Sequence, residues 1–140
     1  MRFARFCAAS ALLLGAPLAL ASDAYPLDSF DVIELVSEKT VECRKEKDQA
    51  LCSNYCTPKG VVTRIMHADG ERKVGRWFLD DQPRLCILWD GKIKPLCFTV
   101  FEQDDGSYKL IKKGKHITTI TGVDDGNTKK LSLHQPYGPT

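Results

Sequence analysis

Beyond the first 21 residues the chain has no apolar run that approaches the ~20 residues a membrane-spanning helix requires, so stable membrane insertion is not expected. It also has no surplus of charge. The 20 Lys+Arg stand against 18 Asp+Glu, and Arg2 and Arg5 make up the difference, which leaves the rest of the chain neutral. Nucleic-acid binders draw most of their affinity from neutralised phosphates, so no nucleic-acid partner is expected. Phosphate-cradling glycine loops are absent. Ser53 and Ser107 lack the surroundings of a nucleophile elbow. His67, His116 and His134 fall in no catalytic spacing, and Asp80-Asp81, Asp104-Asp105 and Asp124-Asp125 do not match a calcium loop. These acidic pairs lie in or beside expected turns, where Asp is common for its own reasons. No catalytic residue, cofactor or metal is expected, and the reading is not an enzyme.

A clear export signature is present. Residues 1–21 place Arg2 and Arg5 ahead of the apolar run Ala8 to Leu14, then Pro17 and the small-x-small triplet Ala19-Leu20-Ala21. The expectation is a signal peptide over 1–21 cleaved after Ala21, a single β-rich domain over 22–128, and an extended tail over 129–140. Cys7 lies at the start of the apolar run and leaves with the leader. The protein is then periplasmic or secreted, where disulfides form.

Organisation follows from periodicity. Asp28 or Ser29 caps a helix of about three turns, with Leu27, Phe30, Ile33 and Val36 as its packing stripe, ending near Ser37 to Lys39. From Thr40 onward short alternating runs are broken by turn residues, the first break being the charged, turn-like stretch Arg44 to Gln49. Asp-Gly recurs at 69–70, 90–91, 105–106 and 125–126, the sequence hairpin turns favour. About eight strands at even spacing predict a mainly β fold, either a small antiparallel meander barrel or a two-layer sandwich, with one short N-terminal helix. Trp77 and Leu79, then Leu85, Ile87 and Trp89, then Leu96, Phe98 and Val100 share strand faces and form the expected core. Trp77 and Trp89 are also the aromatics placed to line a pocket. Lys109, Lys112, Lys113 and Lys115 cluster around Gly114 and read as a solvated hairpin face.

The stretch from Tyr55 to Asn127 carries a pattern: Y-C-T-P-K-G at 55–60, A-D-G at 68–70, G-R-W at 75–77, L-C-I-L-W at 85–89, L-C-F at 96–98, D-D-G-S-Y at 104–108 and G-N at 126–127, with E-K-T-V upstream at 38–41. It resembles an exported bacterial family catalogued as a domain of unknown function, number nine hundred and ninety-five in that series. The resemblance implies export and a β-rich module and brings no catalytic residues. Against the shared pattern, Cys43, Cys52 and Cys56 look like additions.

Five cysteines remain after the leader, an odd number. Cys86 and Cys97 flank Asp90-Gly91. A hairpin centred near Gly91-Lys92 sets them opposite each other with Cα atoms ~4.5 Å apart, within disulfide reach. Cys52 and Cys56 on one strand stand ~13 Å apart and cannot bond each other. The second bridge therefore joins Cys43 to Cys52 or to Cys56. A zinc site built on these three cysteines and a histidine is the disfavoured alternative.

The function expected is a non-catalytic binding or interaction module of the bacterial envelope, its partner an envelope or extracellular protein or a small ligand. One alternative is a small-molecule carrier with its ligand in the barrel mouth. The other is a hydrolase whose site assembles only in three dimensions.

Overall fold

The computed structural model describes residues 25–131. The leader with its cleavage position and Cys7, and the tail from residue 132 with His134, lie outside the described residues. One helix, α1 (Ser29–Val36), precedes eight strands: β1 (Lys39–Lys45), β2 (Leu51–Cys56), β3 (Val61–Met66), β4 (Arg72–Leu79), β5 (Leu85–Trp89), β6 (Leu96–Glu102), β7 (Tyr108–Lys112) and β8 (Lys115–Asp125). Each pairs antiparallel with the next, and β1 pairs with β8, so the sheet closes into a barrel and not a sandwich. Closure leaves no row of unpaired backbone groups along an edge. β8 makes it possible by carrying an extra residue in each ladder: it skips Thr121 against β1, where Glu42 faces Gly122 and Cys43 faces Ile120, and Ile117 against β7. Such bulges sharpen local bend and twist.

The turns use glycine where left-handed backbone is needed. Gly70, Gly91, Gly106 and Gly126 have φ between 73° and 89°, and the aspartates before them do not adopt positive φ. Asp69 and Asp105 instead accept backbone N–H bonds from Glu71 and Ser107, both at 2.9 Å. Three of the four Asp-Gly pairs sit in hairpins. The fourth, Asp125-Gly126, ends β8, and Gly126 N–H donates to the Glu38 carbonyl.

Inward-facing Val41, Val62, Trp77, Leu85, Ile87, Phe98, Val100, Leu110 and Ile120 fill the lumen, joined at one end by Val32, Leu35 and Val36 of α1. Gly75 on β4 faces Trp89 across the ladder; a Cβ there would lie 2.6 Å from the Leu88 carbonyl oxygen and 2.9 Å from the Trp89 Cα. Only glycine leaves room for the indole. Leu96, expected in the core, is 39% exposed because it opens β6 at the rim.

Helix α1 differs from expectation in length and in face. It has eight residues, with Asp28 as N-cap accepting from the Asp31 N–H at 2.9 Å. Val32, Leu35 and Val36 are buried, whereas Phe30 is 70% and Ile33 46% exposed. Residues three apart fall ~60° short of a full turn at each step, so the stripe from Leu27 to Val36 winds half-way round the helix. The set i, i+3, i+4 stays on one side, and that side plugs the barrel. The chain is pinned on both flanks, by Leu27 N–H to the Val100 carbonyl at 2.8 Å and by Glu38 N–H to the Cys56 carbonyl at 2.7 Å.

Two boundaries move. Arg44 and Lys45, expected in a turn, continue β1. The tail, expected to be free from residue 129, is held as far as Leu131, which is buried and exchanges two hydrogen bonds with the Asn127 side chain.

Candidate functional site

Cysteine chemistry is decided by register. Cys86 faces Cys97 and Cys43 faces Cys52, and both pairs are bonded, with Cα atoms 4.0 and 5.1 Å apart. The Cys43–Cys52 bridge lies on the lumen side with Val41 and Asn54. The Cys86–Cys97 bridge lies outside, since Leu85 and Ile87 point in. Cys56 is the unpaired thiol; it is buried beneath α1, and burial pushes its pKa up to about 12. A thiol held protonated and out of solvent is neither a nucleophile nor a metal ligand at neutral pH. A three-cysteine zinc site is also inconsistent with two of its sulfurs being bonded to each other.

The lumen is nearly full. Its cavity is about 50 Å³, lined by Val41, Cys43, Asn54, Arg64, Phe98 and Thr118 among others. That admits a few waters and falls far below the ~300 Å³ at which ligand pockets begin. The open volume is at the mouth. Between α1 and the barrel rim runs a groove of about 600 Å³, with Leu27, Leu35, Tyr108, Ile120 and Val123 along its floor and Asp31, Glu34, Glu102 and Asp125 around it. Lys39 at its edge reaches the Glu34 carbonyl at 3.0 Å and the Asp125 carboxylate at 3.8 Å. The Tyr108 hydroxyl has its pKa raised, first by desolvation and then by Glu102 and Asp31. Trp77 does not line this groove; its indole N–H donates to the Thr57 carbonyl at 2.8 Å beside a shallower depression under Ile33.

The barrel's outer wall carries two clusters of one design. The Ser53 hydroxyl donates to Glu42 Oε1 at 2.6 Å and lies 2.8 Å from His67 Nε2. The Thr119 hydroxyl donates to Glu46 Oε2 at 2.6 Å and lies 2.8 Å from His116 Nε2. Sequence reading named Ser53 and both histidines but not Glu42, Glu46 or Thr119. The signal that joins them is cross-strand register, Glu42 opposite Ser53, which appears only once the strands are paired.

Serine, histidine and carboxylate together invite comparison with a hydrolytic triad, and the geometry argues against one. In a triad one ring nitrogen takes the hydroxyl proton while the other holds the carboxylate. Here His67 Nε2 faces both groups, with Glu42 Oε1 at 3.4 Å. The single Ser53 proton goes to Glu42, so the hydroxyl accepts from the histidine N–H. Ser53 has no exposed surface, and a substrate carbon has no approach to its oxygen. Each cluster ties a wall hydroxyl to a carboxylate and an imidazole, and in the first Glu42 Oε2 is left buried without a partner. In the second, Glu46 has its pKa lowered, chiefly by the Thr119 hydrogen bond, with His116 and Arg44 adding to it against desolvation.

Of the acidic pairs, Asp80-Asp81 and Asp104-Asp105 lie in connections between strands, and Asp124-Asp125 ends β8. Asp80 accepts from Arg84 N–H at 2.7 Å, Gln82 N–H at 3.0 Å and Arg84 Nε at 2.8 Å, and Asp105 accepts from the Ser107 backbone and hydroxyl. Asp80 also lies near the Cys86 and Cys97 sulfurs, which are bonded to each other and offer no thiolate. Among the described residues no helix is long and apolar enough to cross a membrane, and two disulfides fit an oxidising compartment. No family model, no curated protein and no solved structure matches this chain.

Proposed function

We propose that this chain is an exported, non-catalytic binding module of the bacterial envelope, acting outside the cytoplasm as a rigid barrel that presents its rim. The observation that carries the reading is the arrangement at Ser53: a buried hydroxyl that donates to Glu42 and accepts from His67. In the most enzyme-like cluster of the described residues the serine is therefore buried and its proton is committed to Glu42. The leader at 1–21 and the resemblance of residues 55–127 to an exported family support the compartment.

A second reading, the carrier, is favoured by the 600 Å³ groove beside α1. On that reading the ligand sits at the mouth, against Leu27, Leu35 and Tyr108, because the lumen has no room for it. Both readings are tested with the mature chain. Capture from periplasmic extract, beside a thiol-blocked control, should return a saturable partner whose binding survives blocking, since Cys56 is inaccessible. Ester, amide or glycoside turnover that disappears in Ser53→Ala or His67→Ala would overturn the non-catalytic reading. Loss of ligand binding in Tyr108→Ala, with the melting temperature kept, would assign it to the groove.

A further inference from the structure

The guanidinium of Arg64 has an unusual position for an arginine. β3 carries it on the lumen side at the end of the barrel away from α1, where Arg64 pairs in register with Asn54 and with Lys73. Its Nε donates to Asn54 Oδ1 at 3.1 Å, and Asn54 is steadied in turn by a 3.3 Å contact from its Nδ2 to Cys43 Sγ. The guanidinium carbon lies 4.4 Å from the centroid of the Trp89 ring, which Gly75 allows to lie flat against the wall. The group is thus oriented by a hydrogen bond and a stacked ring. Among the described residues it has no carboxylate within ion-pair distance, and its terminal nitrogens have no protein acceptor.

Its neighbours on the inner face add charge of the same sign. Lys73 is directly opposite it, Lys45 stands opposite Thr118, and Lys112 follows the inward Leu110 by two residues. Like charges facing across a ladder are unfavourable. Burial lowers the pKa of Arg64, and Glu71 is the acidic residue that opposes this without touching it. Arg64 keeps two donor nitrogens without a protein acceptor, and Lys45, Lys73 and Lys112 share its face of the barrel by register, a charge pattern complementary to an oxyanion.

We propose that the barrel mouth opposite α1 binds an oxyanion group, a phosphate or carboxylate on a small ligand, with Arg64 as its fork, Trp89 as its floor and Lys45, Lys73 and Lys112 as its rim. The planar fork matches two oxygens of one anion, and the lysines supply the field that brings it in. The site lies across the barrel from the α1 groove, so its failure would leave the groove reading intact.

The test uses indole fluorescence of the mature chain, titrated with inorganic phosphate and, separately, with citrate, against sodium chloride at matched ionic strength. A saturable change with one or both oxyanions and none with chloride is expected. The anion that saturates at lower concentration identifies the source. Arg64→Lys keeps the charge without the fork and should weaken binding at least about tenfold, the scale of charge-assisted hydrogen bonds. Lys73→Ala at the rim should weaken it less and leave the melting temperature unchanged. If Arg64→Lys does not fold, Lys73→Ala combined with Lys112→Ala decides, since both lie clear of the core. Equal responses to chloride and oxyanions, or unchanged affinity in the variants that fold, would overturn the proposal.

Discussion

The two ends of the barrel have opposite construction. At the α1 end the opening is filled by hydrocarbon, Val32, Leu35 and Val36 above Cys56 and Val62. The charged groups there are mostly acidic, Asp31 and Glu34 on the helix, Asp80 and Asp105 in hairpins, Asp124 and Asp125 at the end of β8, and Lys39 and Arg84 among them pair with Asp125 and Asp80. At the other end no helix among the described residues covers the lumen, and the packing there is a disulfide, an amide, a guanidinium and an indole. Lys45, Arg72, Lys112 and Lys115 end or begin strands there, and Arg64 and Lys73 lie within two residues of a strand end. A chain with no net charge beyond residue 21 is therefore polarised along its axis. Neutral composition excludes a uniformly charged surface; it does not exclude a strong local field.

The largest effect should come from breaking the capped end. Val32 is fully buried, so Val32→Asp places a carboxylate in hydrocarbon with no partner. A loss on the order of 4 kcal/mol or more is expected, at the upper end for single substitutions and comparable to the whole stability of a small domain. Urea unfolding followed by circular dichroism would read it. A near-native midpoint would mean that α1 is a detachable lid and the barrel stands without it.

Next in size is removal of a bridge, and here the ends separate. For closed loops with separations of 9 and 11 residues, each disulfide should contribute about 2–3 kcal/mol. Cys43→Ala with Cys52→Ala also takes away the sulfur that steadies Asn54, so Arg64 loses its orientation. Cys86→Ala with Cys97→Ala removes a clamp on the outer wall, where β5 and β6 share three register pairs. Similar falls in stability are expected from both double variants. Only the first should weaken the oxyanion response. Equal weakening in both would make that response a measure of general stability, not of the Arg64 site.

Much of this was legible from residues read along the chain. Alternation marked the core of β4, β5 and β6, and the Gly91-Lys92 centre brought Cys86 to Cys97. The difference between sandwich and barrel was not legible, because it depends on whether β1 meets β8, a pairing between segments some eighty residues apart with bulges at Ile117 and Thr121. The choice between Cys52 and Cys56 as partner for Cys43 was likewise open, since both face inward and only register decides. Helix α1 is apolar on more than one side, so spacing could not select the face that docks. The wall clusters and the axial polarity share one cause of invisibility. Composition records how many charges there are, and topology decides which of them become neighbours.

The smallest expected effect distinguishes the ends by acid. Glu46 belongs to the hairpin after β1 at the uncapped end, and Asp80 to the hairpin before β5 at the capped end; both have lowered pKa values in the folded chain. For Asp80 the leading cause is the Arg84 backbone hydrogen bond, and for Glu46 it is the Thr119 hydroxyl. A carboxylate whose folded pKa lies below its unfolded one contributes stability that is complete above the unfolded value, and the contribution is lost as pH falls through the folded value. Melting midpoints should therefore decline on acidification from about pH 5 downward. Thr119→Val removes the main cause at Glu46, so the gap between wild type and this variant should narrow as the pH drops. Asp80→Asn at the other end should likewise differ from wild type less as the pH drops. If Thr119→Val instead shifts the melting curve by a constant amount at every pH, the hydroxyl acts through packing alone, and the Glu46–Thr119–His116 cluster has no electrostatic part in holding the uncapped end.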